Sequence, residues 1–418
     1  MFTLAIKSIR NRRFATILTI ISIALSVTLL LGVERIRKEA RAGFTNTISG
    51  TDLIVGARSG PVQLLLYSVF RIGNATNTIS WQSYQEIARN PNIQWTIPIS
   101  LGDSHKGYRV LGTNADYFKF FRYSGKRRLE MAKGRIFEGV YDAVLGAEVA
   151  EKLGYGLNDE IILAHGAGKV SFIQHADKPF KAVGILKRTG TPVDQTIHVR
   201  LEGIEAIHID WKEGAPIPGG QSISAENALK MDLSPRLITA FFVGLKSRIA
   251  AFAVQRTINE YREEPLLAIL PGVALAELWD LIGVAEKALL VVSGFVVIVG
   301  LSGMLVALMT SLNERRREMA ILRSVGARPL DVFALIVGES AMLTLAGIVA
   351  GVAMLYLLLF VGQPLILSEF GLLIAIGGLT LHELLLIAVV SLAGVFIGVI
   401  PGYQIYCYSL ADGMTIRL

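Results

Sequence analysis

One cysteine, Cys407, stands in 418 residues, which excludes an intrachain disulfide and any cysteine-based metal cluster. Charge is scarce as well: Asp, Glu, Lys and Arg together make up 18% of the chain, against 52% hydrophobic residues and a mean hydropathy of +0.51. That balance is too apolar for a soluble protein and too charged for membrane spans alone. It implies a membrane anchor joined to one sizeable water-soluble domain. The formal net charge is +7, but most of that excess is placed where it would set membrane topology, so it does not argue for nucleic acid. Familiar chemical motifs are missing too. Neither Gly125-Lys126 nor Gly168-Lys169 stands in a GxxxxGK[ST] frame, and no GxSxG or HExxH occurs. Nothing in the pattern points to an enzyme.

What is present is a set of long apolar runs. The first, Phe14 to Val33, is long enough to cross a hydrocarbon core of roughly 30 Å at about 1.5 Å per residue. Lys7, Arg10, Arg12 and Arg13 precede it, and Glu34-Arg35-Ile36-Arg37-Lys38 follow with no small-residue cleavage site. It reads as an uncleaved anchor rather than a signal peptide. Three more spans are expected late in the chain, near 284–312, 332–361 and 384–406. The segment 274–287 has helical spacing and predicts a stalk continuous with the second span. Gly347 and Gly351 form a GxxxG pattern, a candidate surface for close helix packing. Glu339, inside the third span, has no partner acid or histidine near it in sequence and reads as structural rather than as a proton relay.

The connecting segments differ sharply. The loop 362–383 contains no Lys or Arg, whereas 313–331 contains Arg315, Arg316, Arg317, Arg323 and Arg328. Positive loops stay inside, so both termini are expected in the cytoplasm. Gly326-Ala327 followed by Arg328-Pro329 ends one helix and turns the chain back. The resulting elbow would face the cytosol.

The fold class expected is therefore a membrane protein with four transmembrane α-helices and a large α+β extracytoplasmic domain inserted between helices 1 and 2. In order, the chain divides into a cytoplasmic segment 1–13, span 14–33, the outer domain 34–273, stalk and span 274–312, and the elbow 313–331. Span 332–361, an outer loop 362–383, span 384–406 and a cytoplasmic tail 407–418 complete it. Strand-like runs in the outer domain fall near 52–55, 108–111, 143–145, 160–163, 180–186, 197–201, 206–209 and 241–245, with helical pieces near 81–90, 148–153 and 249–262. Its histidines are His105, His165, His175, His198 and His208. His198 and His208 lie among apolar neighbours and read as structural, and spacing gives no support to a metal site drawn from His165, His175 and nearby carboxylates. Lys126-Arg127-Arg128 reads as a solvated turn, and 189–194 as a loop.

Three segments together resemble the MacB/FtsX-like permeases of ABC systems. They are the short basic N-terminus running into the first span, the outer run LGAEVAEKLG (145–154) with LNDEI (157–161) and FKAVGIL (180–186), and NERRREMAILRSVGARPLDVFALIVGESAMLTLAGIVAG (313–351). The tail from Pro401 to Met414 is also similar, and 50–73 resembles a MacB-like branch. The resemblance implies a permease subunit in the bacterial inner membrane, without enzymatic activity of its own. ATP and magnesium would be held by a separate cytosolic ATPase, since MacB carries a fused ATPase ahead of its first span and this chain shows none. Its partners would be that ATPase, a second permease copy (a homodimer in preference to a heterodimer), and a periplasmic adaptor or lipoprotein. By position, Glu314, Arg315, Arg317, Glu318, Met319, Leu322, Arg323, Gly326 and Ala327 match the coupling elbow. Met319 and Leu322 would serve as apolar knobs inside a charged rim. The family's work is mechanotransmission: ATP-driven movement is passed to the outer domain, which acts on a substrate, lipoprotein or adaptor. The rival expectation is a regulator whose outer domain activates an extracytoplasmic enzyme such as a cell-wall hydrolase.

Overall fold

The computed structural model describes residues 13–166, 175–212, 215–216, 223–370 and 376–407, without side chains at 40, 42, 44–46, 212, 215–216, 313–320, 322–323 and 364–370. Contacts divide the chain into two compact units: one drawn from Met1–Ala40, Gly283–Glu369 and Leu373–Leu418, the other from Arg41–Ile282 and Phe370–Leu372.

The first unit is helical. Its long helices are α1 (Arg13–Thr47), α6 (Pro271–Ser324), α7 (Pro329–Phe370) and α8 (Leu381–Cys407). These four are long and apolar enough to cross a membrane. Each exceeds its expected span: α1 continues past Val33 to Thr47, and α6 is unbroken from Pro271 to Ser324. The expected loop 362–383 is helical as far as Phe370, because no Lys, Arg or second proline interrupts the apolar run after Pro364. Ile23, Val27 and Leu31 of α1 pack with Leu301 and Met304 of α6, Leu343 and Ile348 of α7, and Val390 of α8. Small residues permit the close approach. A Cβ built on Gly347 would stand 2.6 Å from Ile23, and one on Gly351 would stand 2.8 Å from the Ala24 carbonyl. Thr28 Oγ1 donates to the Gly351 carbonyl at 2.9 Å, so the contact is polar as well as tight. Glu339 is buried in α7.

The second unit holds, among the described residues, an eleven-stranded mixed sheet. Its strands are β1 (Leu53–Ala57), β2 (Ile93–His105), β3 (Tyr108–Thr113), β4 (Met131–Gly134), β5 (Asp142–Leu145), β6 (Glu160–Ile161), β7 (Ala164–His165), β8 (Phe180–Leu186), β9 (Thr196–Arg200), β10 (Ala240–Leu245) and β11 (Leu266–Ile269). Their order is β11-β1-β10-β2-β3-β9-β5-β8-β4, with β7 on β2 and β6 on β8. The pairs β8–β5 and β9–β3 are parallel. Alternation explains the two-sided core. Ile54 and Phe242 face one layer with Ile97 and Leu111, while Leu53, Val55, Phe241 and Val243 face another. The helices α2 (Trp81–Ala88), α3 (Ala147–Leu153), α4 (Leu201–His208) and α5 (Ala251–Asn259) belong to the same unit.

One strand expectation changes here, and one strand was not expected. The run 206–209, expected as strand, lies in α4, because Leu201, Ile204 and Ile207 recur at helical spacing. The longest strand, β2, was hidden by Pro98 and Gly102, which punctuate it.

Candidate functional site

The elbow comes first. Helix α6 runs through the positions of Glu314, Arg315, Arg317, Glu318, Met319, Leu322 and Arg323, whose side chains fall outside the description. It ends with Val325 N–H donating to the Ile321 carbonyl at 3.1 Å, and Gly326 then takes φ +107°, a conformation that L side chains rarely adopt. Arg328 caps the next helix. Its N–H donates to Asp331 Oδ2 at 2.9 Å, and Pro329 occupies the first helical position. Exposed apolar side chains stand on both sides of the turn: Ile321 and Val325 before Gly326, and Leu330 after it. Sequence reasoning named Met319 and Leu322 for this task and passed over these three. Ala327 is half-buried.

A second constellation lies inside the helical unit. Arg35 and Glu383 are both buried and pair at 3.2 Å. Arg35 Nη2 also donates to the carbonyls of Gly377 and Gly378 at 2.9 and 2.8 Å, and its guanidinium lies 5.3 Å from the Tyr356 ring centre. Glu383 Oε2 accepts from Thr380 N–H at 2.6 Å, so the carboxylate is satisfied on both sides. Next to it, Glu34 holds Arg37 at 2.8 Å and His382 at 3.7 Å, and Arg37 reaches Glu286 at 3.8 Å. This network joins α1 to the start of α8 and to α6. In the sequence, Glu34 to Lys38 read only as charges following a span.

In the sheet unit, imidazoles gather at one end of β2. His165 Nδ1 lies 3.3 Å from Asp103 Oδ1, and His208 Nε2 lies 3.6 Å from the same atom. The rings of His175 and His208 are 5.0 Å apart, and Trp211 packs on His165, His175 and His208. Burial pushes the His175 imidazole down to about 4, with His208 adding to the shift, whereas a hydrogen bond donated to the Asp103 carboxylate raises His165. Nearby, the ammonium of the buried Lys178 bonds to Asp210 at 3.2 Å. His198, by contrast, is wholly buried against Tyr117 and is pushed down to about 3 by burial and then by Arg71, as a structural histidine would be.

The remaining sequence candidates take plain forms. Arg127 and Arg128 form an exposed hairpin edge with Arg122 and Tyr123. Residues 189–194 close on themselves, with the buried Asp194 accepting from Thr189 N–H at 2.8 Å and Gly190 N–H at 2.7 Å. Cys407 is exposed at the end of α8. Gly168-Lys169 and the tail beyond Cys407 lie outside the described residues.

These features define a class: a multi-span membrane protein built from apolar helices and a large mixed-sheet domain. The family comparisons make it specific. Residues 16–260 match the MacB-like periplasmic core domain, and residues 290–410 match the FtsX-like permease C-terminal domain. The chain belongs to the MacB/FtsX-like permeases of the ABC transporter family. Among solved structures, it is similar to the periplasmic region of MacB from Actinobacillus actinomycetemcomitans, at 10% identity and a TM-score of 0.33, covering 56% of this chain and 94% of that one. It is also similar to the extracellular domain of the noncanonic ABC-type transporter YknZ from Gram-positive bacteria, at 13% identity and a TM-score of 0.30, covering 52% and 99%. No curated protein matches the chain.

Proposed function

We propose that this permease transmits force from a separate cytosolic ABC ATPase to its sheet unit on the far side of the inner membrane. Both termini and the elbow face the cytoplasm in this reading. The arginines of 313–331 against a segment 362–383 without Lys or Arg support that orientation. The observation that carries the reading is the elbow itself. A helix that ends at a left-handed glycine and restarts at Pro329 behind a capping hydrogen bond exposes Ile321, Val325 and Leu330 around one turn. Exposed apolar residues beside basic ones suit a groove on a soluble protein, because lipid headgroup anchoring needs only the basic residues. The ATPase would hold ATP and magnesium, and a second copy of this chain would complete the complex. The sheet unit would act on a substrate, lipoprotein or adaptor outside the cytoplasm.

The test is co-purification of the tagged full-length permease from its native cells, comparing wild type with Val325→Glu and Leu330→Glu. The expected result is an ATP-hydrolysing subunit that accompanies wild type and is lost from both variants while membrane insertion is unchanged. Equal recovery with all three proteins would overturn the elbow assignment.

A further inference from the structure

We infer that Asp103, His165 and His208 form a binding site for a borderline divalent metal ion of the zinc type on the sheet unit. Three elements far apart in the chain supply one donor each: β2 gives Asp103, β7 gives His165 and the last residue of α4 gives His208. Their donor atoms all lie within 4.8 Å of one another. Asp103 Oδ1 is 3.3 Å from His165 Nδ1 and 3.6 Å from His208 Nε2. Ligands about 2.0–2.2 Å from a tetrahedral zinc stand roughly 3.3–3.6 Å from each other, which both distances to Asp103 match.

Two local features point the donors inward. The pairing of β2 with β3 shifts register between Leu101 and Ser104, a bulge that re-aims Asp103, and Asp103 stands directly across from His165 on β7. His208 Nδ1 lies 2.9 Å from the Ile204 carbonyl. Donation of the Nδ1 proton to that oxygen leaves the Nε2 lone pair as the ligand, the usual way a backbone group orients a metal-binding imidazole. His208 Nε2 is buried with no hydrogen-bond partner, and so is Nε2 of the adjoining His175. Two imidazoles and one carboxylate suit zinc and its first-row neighbours rather than magnesium or calcium, which prefer an all-oxygen shell. Bound there, the ion would tie β2, β7 and α4 together and keep a fourth position for water or for a donor brought by whatever docks on this unit.

The test uses full-length protein in detergent, stripped with chelator and titrated with Zn2+ alone and with Co2+ alone. The expected result is one equivalent per chain with a Kd of about 1 µM or tighter, together with the visible absorption of tetrahedral Co2+. His165 is partly exposed, so His165→Gln should fold normally and weaken binding on the order of 100-fold, as should Asp103→Asn. His382→Gln, in the helical unit, should bind as wild type. The proposal is overturned if wild type takes up no ion below about 100 µM, or if His165→Gln binds with unchanged stoichiometry and affinity.

Discussion

The two units bury polar groups by opposite routes. In the helical unit Arg35 meets Glu383 and two backbone carbonyls in one buried network, Glu339 is a further buried acid, and glycine, serine and threonine bring the helices close around an apolar cluster. In the sheet unit the core is built from large side chains such as Phe242, Tyr117 and Phe180, and single buried polar groups such as His198 and Asp194 stand apart from the clustered Asp103 and His175. The difference follows from solvent. In lipid, apolar burial does not distinguish helix from helix, so close backbone approach and a few strong polar contacts must specify the packing. In water, apolar area does most of the work, and single polar groups are tolerated where local bonds satisfy them.

The largest expected effect breaks the buried network of the helical unit. Glu383→Ala leaves the buried Arg35 without its carboxylate, and losing one partner of a buried pair costs about 3–5 kcal/mol. Thermal unfolding in detergent should show a large drop, partly restored in the Arg35→Met/Glu383→Leu double variant, which removes both charges. An additive double variant would mean that the pair is not coupled.

Next is a pH effect confined to the sheet unit. Burial holds His198 at about 3, well below the usual 6.5 of the unfolded side chain. Between those values only the unfolded imidazole takes up a proton, so acidification favours unfolding. The stability that neutral His198 supplies is complete above about pH 6.5 and fades as pH falls toward about 3. His198→Leu should flatten the decline in melting temperature between pH 7 and pH 5, and an unchanged slope would remove His198 as its source.

How much of this could be read from the sequence follows the same division. The helices were legible because each carries its own signal of length and hydropathy. Strands such as Phe180–Leu186 were legible because alternation is local. The constellations were not. Arg35 and Glu383 are at opposite ends of the chain, and Asp103, His165 and His208 meet only through strand pairing and a bulge. His208 read as a strand histidine because Ile207 and Ile209 flank it, yet the period of 201–208 is helical. The elbow was legible as Gly326 and Arg328-Pro329, but which apolar residues face outward depends on where α6 stops.

A smaller effect tests the packing rule of the helical unit. Gly351→Val would place side-chain carbon where Val27 and the Ala24 carbonyl already stand, at 2.9 and 2.8 Å from the added Cβ. Overpacking of this kind costs about 1–3 kcal/mol. The same change at Gly294, which meets nothing within 4 Å, should be near neutral in the same melting assay. Equal losses at both sites would show that the fit against α1 is not what makes Gly351 matter.

The smallest effect on stability is expected at the elbow, where it should be the largest on function. Nothing lies within 4 Å of a Cβ at Gly326, so a side chain there meets no clash and only the left-handed backbone resists it. A left-handed L residue costs roughly 1–2 kcal/mol. Such a strain is relieved by rotating the turn, which would re-aim Val325 and Leu330 while both helices stay intact. Gly326→Val should therefore insert and melt almost as wild type, yet lose most of the ATP-dependent activity of the reconstituted complex. Gly326→Asn, which tolerates this conformation better, should recover part of it. If Gly326→Val retained full coupled activity, the turn would be a mere connection between spans, and the helical unit would have to receive force at some other surface.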